Sequence, residues 1–199
     1  MTCVVYKHPF IVGDQKYTRD YGNTRLGRYT KIYVLDKPAY KLYTAYAGDS
    51  GTEHLFNSYM LAAFDNDHEA MSKAHKLCKE YSDKAISCVG IVLHVVDKKV
   101  TTYTVGMNLL LTPIEWPYLT IGSGEDLAAG AFEMGADAWQ AVDVATRMDG
   151  ACGYPLDGYN VVTGEYTIHY SPATLGQVKS VSVVSNVLPA SFSIVPAVC

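Results

Sequence analysis

Apolar positions in this chain change period several times, and those changes divide it into elements. Over residues 2–14, Cys3, Val4, Val5 and Tyr6 and then Phe10, Ile11 and Val12 form two β-branched and aromatic runs broken at His8 and Pro9. That layout predicts a hairpin closed off by Gly13. Strand character returns at residues 31–35 and 41–47. The period then lengthens: Leu55, Tyr59, Ala62 and Ala63 recur at helical spacing, Asp65, Asn66 and Asp67 offer caps, and Met71, Ala74, Leu77, Cys78 and Tyr81 share the face of a second helix. Residues 88–96 and 100–111 read as a second hairpin, turning at Asp97, Lys98 and Lys99. Gly122, Ser123 and Gly124 open an alanine-rich helix that Gly135 closes, and Asp137 with Gln140 predicts a capping box for a fourth helix running to about Met148. Short strands near residues 159–162 and 166–170 follow.

Strands, two helices, strands, two helices, strands is the order of an α+β chain. Its two mainly antiparallel sheets pack naturally between helical layers. Residues 1–170 are expected to form one domain, and residues 171–199, rich in Val, Ser and Pro, a C-terminal extension.

Composition narrows the function classes. The chain has 199 residues, 49% hydrophobic and 18% charged, which suits one domain with a substantial core. A net charge of −4 with scattered lysines and arginines is the wrong footprint for nucleic acid. No apolar run reaches membrane-spanning length and no secretory layout opens the chain, so a cytoplasmic protein is expected. Five irregularly spaced cysteines without a C-x-x-C pair read as reduced thiols. His68, His75 and Cys78 fall on one helical face, but no fourth metal ligand accompanies them.

The chemistry begins at Thr2. If Met1, which alone stands in front of it, is trimmed, a threonine with a free α-amine becomes a complete nucleophile. The hydroxyl attacks, and the amine, with an ordinary pKa of about 7.7 to 8.0, takes the proton.

Further motifs follow in order: Thr2-Cys3-Val4-Val5, Gly13-Asp14, Gly22-Asn23-Thr24 ahead of Lys31, Tyr46-Ala47-Gly48, and Gly122-Ser123-Gly124. Together they resemble the proteasome β subunit family, most closely the HslV-type peptidases of the N-terminal nucleophile hydrolases. The resemblance covers residues 1–170. It implies a four-layer αββα sandwich and a threonine-type endopeptidase acting on peptides or unfolded proteins. It also implies a self-compartmentalised stack of rings, with an ATPase unfoldase as a possible partner and no cofactor requirement.

Carried over by position, the resemblance makes Thr2 the nucleophile, Lys31 the ammonium beside it and Asp14 the carboxylate that balances Lys31. Gly48 supplies the oxyanion-hole N–H, and Ser123 bonds the N-terminal amine. Thr18 pairs its backbone with substrate. Asp149 and Cys152 mix two patterns of the segment that positions the serine, Cys152 being equally readable as a buried thiol. The carbonyls of residues 149–153 are a possible monovalent-cation site, although Pro155 departs from the pattern. Tyr29, Tyr33, Tyr46, Ser50 and His54 fall around the first specificity pocket. Two other readings stay open: a small-molecule amidohydrolase on the same fold, and an inactive structural ring subunit.

Overall fold

Two strands that are buried on both faces organise the fold. In β1 (Cys3–Lys7) the side chains alternate: Cys3 and Val5 enter one hydrophobic cluster, Val4 and Tyr6 another. The same alternation splits β6 (Lys41–Gly48), with Tyr43 and Ala45 on one side and Leu42 and Tyr46 on the other. A near-continuous apolar run is therefore required in each, because neither face meets water. A computed structural model describes residues 2–19, 24–48, 52–81, 88–106 and 109–172.

Every strand pairing described is antiparallel. One sheet runs β10 (Leu119–Gly122), β1, β2 (Phe10–Asp14), β11 (Leu156–Asn160), β12 (Tyr166–His169). The other runs β5 (Ile32–Asp36), β6, β7 (Cys88–Val96), β8 (Lys99–Val105), β9 (Leu111–Pro113). Val4, Ile11 and Ile121 of the first sheet meet Ile32, Tyr43, Ile91 and Leu93 of the second in a shared cluster. Helices α3 (Glu125–Glu133) and α4 (Ala138–Met148) bury Ala128, Phe132, Ala141 and Val142 with Cys3 and Val5 of the first sheet. Helix α1 (Glu53–Phe64), followed by α2 (His68–Tyr81), buries Leu55, Phe56 and Met60 with Leu42 and Val92 of the second. The described residues form a mixed α/β fold of antiparallel sheets and four helices. Among the described residues no helix is long and apolar enough to cross a membrane.

The hairpin predicted at residues 2–14 is present in the register Val4↔Gly13. The capping box on α4 is present too: Gln140 N donates to Asp137 Oδ1 at 2.8 Å, and Asp137 N to Gln140 Oε1 at 3.0 Å. Other boundaries move. A ribbon of β3 (Lys16–Arg19) and β4 (Thr24–Arg28) lies where the sequence pattern predicts no element. Residues 100–111 are not one strand: β8 stops at Val105 and β9 folds back on it. Gly122 ends β10 rather than merely opening a helix. The α3 cap position is Gly124, with no side-chain bond. β11 begins at Leu156, ahead of the expected 159, and residues 161–163 turn. Apart from residues 171 and 172, the predicted extension 171–199 lies outside the described residues.

Gly122 lets the Thr2 backbone lie close against β10. Its φ is +99°, and a Cβ there would stand 2.0 Å from the Thr2 carbonyl oxygen. The clash is with backbone and cannot be relieved by a rotamer change. Gly122→Ala is therefore expected to lower stability by about 3 kcal/mol or more, read as a fall in urea midpoint with unchanged slope.

Candidate active site

The N-terminal strand places Thr2 at one end of the first sheet, flanked by the ends of β2 and β10 and the start of β11. Thr2 is only 8% exposed. Asp14, fully buried at the end of β2, is the hub beside it. Its Oδ1 accepts from Lys31 Nζ at 2.5 Å and from Cys3 N at 2.8 Å; its Oδ2 accepts from Gly153 N at 3.1 Å and Lys16 N at 3.2 Å. Lys31, just ahead of β5, is itself 5% exposed. Removing two charges from water is costly, and four donors on one carboxylate are the compensation that makes such burial tolerable.

A second cluster forms at the other side of Thr2. Gly124 N donates to the Thr2 carbonyl at 3.3 Å. Ser123 Oγ donates to Asp149 Oδ2 at 2.8 Å and lies 3.4 Å from the Thr2 carbonyl oxygen. Cys152 Sγ donates to the same Asp149 oxygen at 3.3 Å, and Ala151 N to Oδ1 at 2.9 Å. Burial pushes the Asp149 carboxyl upward, but these donors and the Lys16 charge outweigh it and hold the group below its usual range. A Cβ on Gly124 would meet Cys3 Cβ at 2.9 Å and Cys152 Sγ at 3.2 Å, so glycine there lets α3 close over the cluster. The Cys152 thiol beside it and burial both push the Cys3 thiol far up, which leaves it neutral and unsuited to attack as a thiolate. Lys16 Nζ donates to the Gly150 carbonyl, so an ammonium of the chain already lies on the loop considered for a monovalent cation.

The structure thus brings together Thr2, Asp14, Lys31, Ser123, Asp149 and Cys152. It distributes the expected substrate-facing residues more widely. Tyr29 and Tyr33 join hydroxyls, and Tyr29 also donates to Glu53 Oε1 at 2.8 Å. Tyr46 is 8% exposed, lies against Phe56 and shares its hydroxyl with Thr52 Oγ1 at 2.5 Å, so it contributes to the core under α1. His54 is exposed on α1. Gly48 ends β6. Thr18 is in β3 opposite Arg25, its side chain outside the described residues, as is Ser50 altogether.

Three participants are absent from the sequence-based set: Glu53, Lys16 and Asp157. Asp157 is the most unusual. It is fully buried in β11, ahead of residue 159, where the strand was expected to begin. Thr30 Oγ1 donates to its Oδ2 at 2.7 Å, while Oδ1 has no hydrogen-bond partner among the described residues. Burial pushes the carboxyl from 3.8 up to about 6, against bonds from Gln15 and Thr30 that lower it.

No protein-family model matches the chain, and no curated protein matches it by sequence. Solved structures do match in fold. One is Anbu, described as an ancestral beta-subunit, from Yersinia bercovieri: 13% identity, 86% of this chain and 88% of that one, TM-score 0.65. Another is an Anbu (Gly-1) mutant from Hyphomicrobium sp. strain MC1: 10% identity, 85% and 82% coverage, TM-score 0.62. A third is the helical assembly of the Anbu complex from Pseudomonas aeruginosa: 12% identity, 85% and 81% coverage, TM-score 0.62. The fold is related to that of the Anbu proteins. These are proteasome-like but form a distinct family, which corrects the assignment to proteasome β subunits or HslV-type peptidases. The physical reason lies in the motifs themselves. Gly122 and Gly124 answer close backbone and helix approaches at Thr2 and Cys3, which come with the fold and do not discriminate among families that share it.

Asp157 gives a pH signature. Its folded-state value lies above the ordinary carboxylate value, so its contribution to stability is fully present below about 3.8 and is lost as pH rises through about 6. Asp157→Asn retains an acceptor for Thr30 and removes the ionisation. It is expected to raise unfolding free energy by up to about 3 kcal/mol above pH 7 and to give no such gain near pH 4, measured by urea denaturation at both.

Proposed function

We propose that this protein is an N-terminal nucleophile hydrolase in which Thr2, freed by removal of Met1, cleaves peptide bonds. The observation that carries this reading is the buried Lys31–Asp14 pair, whose carboxylate also holds the amide immediately after Thr2. That arrangement ties an ammonium to the strand bearing the hydroxyl. The layering is that of an αββα sandwich, supported by the three hydrophobic clusters between successive layers.

In this reading the Thr2 α-amine takes the hydroxyl proton while the oxygen attacks the scissile carbonyl carbon, with Lys31 lowering the cost of the developing alkoxide. Collapse breaks the C–N bond, passes the proton to the leaving amine and leaves an ester on Thr2. Water then attacks the ester, returning the carboxylic acid and free Thr2. Ser123, oriented by Asp149 and Cys152, serves proton movement at the amine. Gly48 N–H binds the oxyanion, Thr18 pairs with an extended substrate, and Tyr29, Tyr33 and Glu53 border the side-chain pocket. A monovalent cation at residues 149–153 would share that loop with Lys16.

The protein is proposed to act as a homo-oligomer. Support comes from the likeness to a protein solved as a helical assembly. Sedimentation is expected to show a multiple of the 21.8 kDa chain, and a lone species of that mass at working concentration rejects the assembly.

The chemistry is tested at the N-terminus. A Met1-retaining preparation has an amide nitrogen where the base should be and is expected to be inert towards peptide-amide reporters. Trimmed protein is expected to be active, Thr2→Ser partly so and Thr2→Ala not at all, with a β-lactone or boronate adduct on Thr2 seen by mass spectrometry. Lys31→Met is expected to lower kcat by about 100-fold or more. Hydrolysis by Thr2→Ala at the level of trimmed protein would move the nucleophile elsewhere.

A further inference from the structure

We propose that Asp157 is a positioning residue for Lys31: from β11 it clamps, through the Thr30 hydroxyl, the segment that carries Lys31 into β5, and its ionisation sets how much negative charge faces that ammonium. The placement follows from strand register. Asp157 stands opposite Gly13 in the β2–β11 pair, and Asp14 opposite Leu156, so the two carboxylates are neighbours on adjoining strands that leave from opposite sheet faces. Thr30 bridges the gap between the sheets. Its hydroxyl donates to Asp157 Oδ2 at 2.7 Å, and Ile32 N donates back to the same hydroxyl at 3.4 Å, so the contact spans the residues on either side of Lys31.

The surroundings leave few other charges to consider. Tyr166 donates to Oδ2 at 3.4 Å, and Gln15 acts to lower the carboxyl. The titratable groups that face it are Asp14 from β2, Lys31 ahead of β5, Tyr33 from β5, Tyr159 from β11 and Tyr166 from β12. Burial holds the three tyrosines up at about 12 or above, so they stay neutral where Asp157 titrates. Lys31 and Asp14 are then the charges that decide its state. With Asp157 neutral, the ammonium and Asp14 balance; with Asp157 ionised, two carboxylates share one ammonium. The bare Oδ1 makes the ionised form the costlier one.

The catalytic meaning of this coupling rests on the hydrolase reading, but the coupling itself can be read without turnover. Infrared difference spectra of the full chain, titrated through pH 6, report the carboxyl band of Asp157, assigned by its loss in Asp157→Asn. In Lys31→Met the cation is gone, and the Asp157 midpoint is expected to rise by about one pH unit. In Thr30→Val the shape is kept and the donor lost, and the midpoint is expected to rise by a smaller amount. A midpoint unmoved in Thr30→Val overturns the clamp even if Lys31→Met does not fold, and one unmoved in a folded Lys31→Met overturns the coupling. A band shifted as expected in a trimmed protein that hydrolyses no peptide amide would keep the inference and discard the hydrolase reading alone.

Discussion

The buried pair between Lys31 and Asp14 is the interaction on which the rest of the site depends. It joins the two sheets at one end of their interface: Asp14 closes β2 in one, and Lys31 leads into β5 in the other. Neither charge has water to fall back on, so the pair persists only while the backbone donors of Cys3, Lys16 and Gly153 also reach Asp14. Those donors come from β1, the start of β3 and the approach to β11. One carboxylate thereby sets the relative positions of four segments, and losing either partner leaves a charge stranded in the interior.

This constraint explains why the surrounding chain is built from small residues and polar side chains rather than a closed apolar cap. Gly122 lets the Thr2 carbonyl lie against β10, and Gly124 lets α3 approach Cys3 and Cys152. Asp149 gathers Ser123, Cys152 and Ala151 into a compact turn after α4. The thiols of Cys3 and Cys152 pack as small hydrophobes beneath this turn. Asp157, bonded by Thr30, adds a carboxylate on the face of the first sheet opposite to that of Asp14. The result is a site with a strongly polar floor beside the apolar clusters on the two faces of the first sheet.

Much of the fold was legible because periodicity follows burial. The hairpin of β1 and β2, the four helices and the β7–β8 pair each carry an unambiguous repeat or cap, and Asp97 and Lys98 adopt the positive φ values of a tight hairpin turn. The β3–β4 ribbon and β9 were not legible. They are short and have no alternation long enough to read. β10 was hidden because Gly122 resembles a helix-opening signal, whereas its function is to let two backbones approach.

Residue identity along the chain determined the chemistry available: a threonine behind Met1, a lysine and an aspartate at strand ends, and a serine between glycines. It also determined the class of fold, since alternation and helical spacing are local consequences of which faces are buried. Only the tertiary structure decided which charges meet. The 2.5 Å contact of Lys31 with Asp14, the bond of Ser123 to Asp149 and the bond of Thr30 to Asp157 all join residues distant in sequence. Such contacts are settled by how two sheets and four helices pack, and local patterning cannot encode them residue by residue.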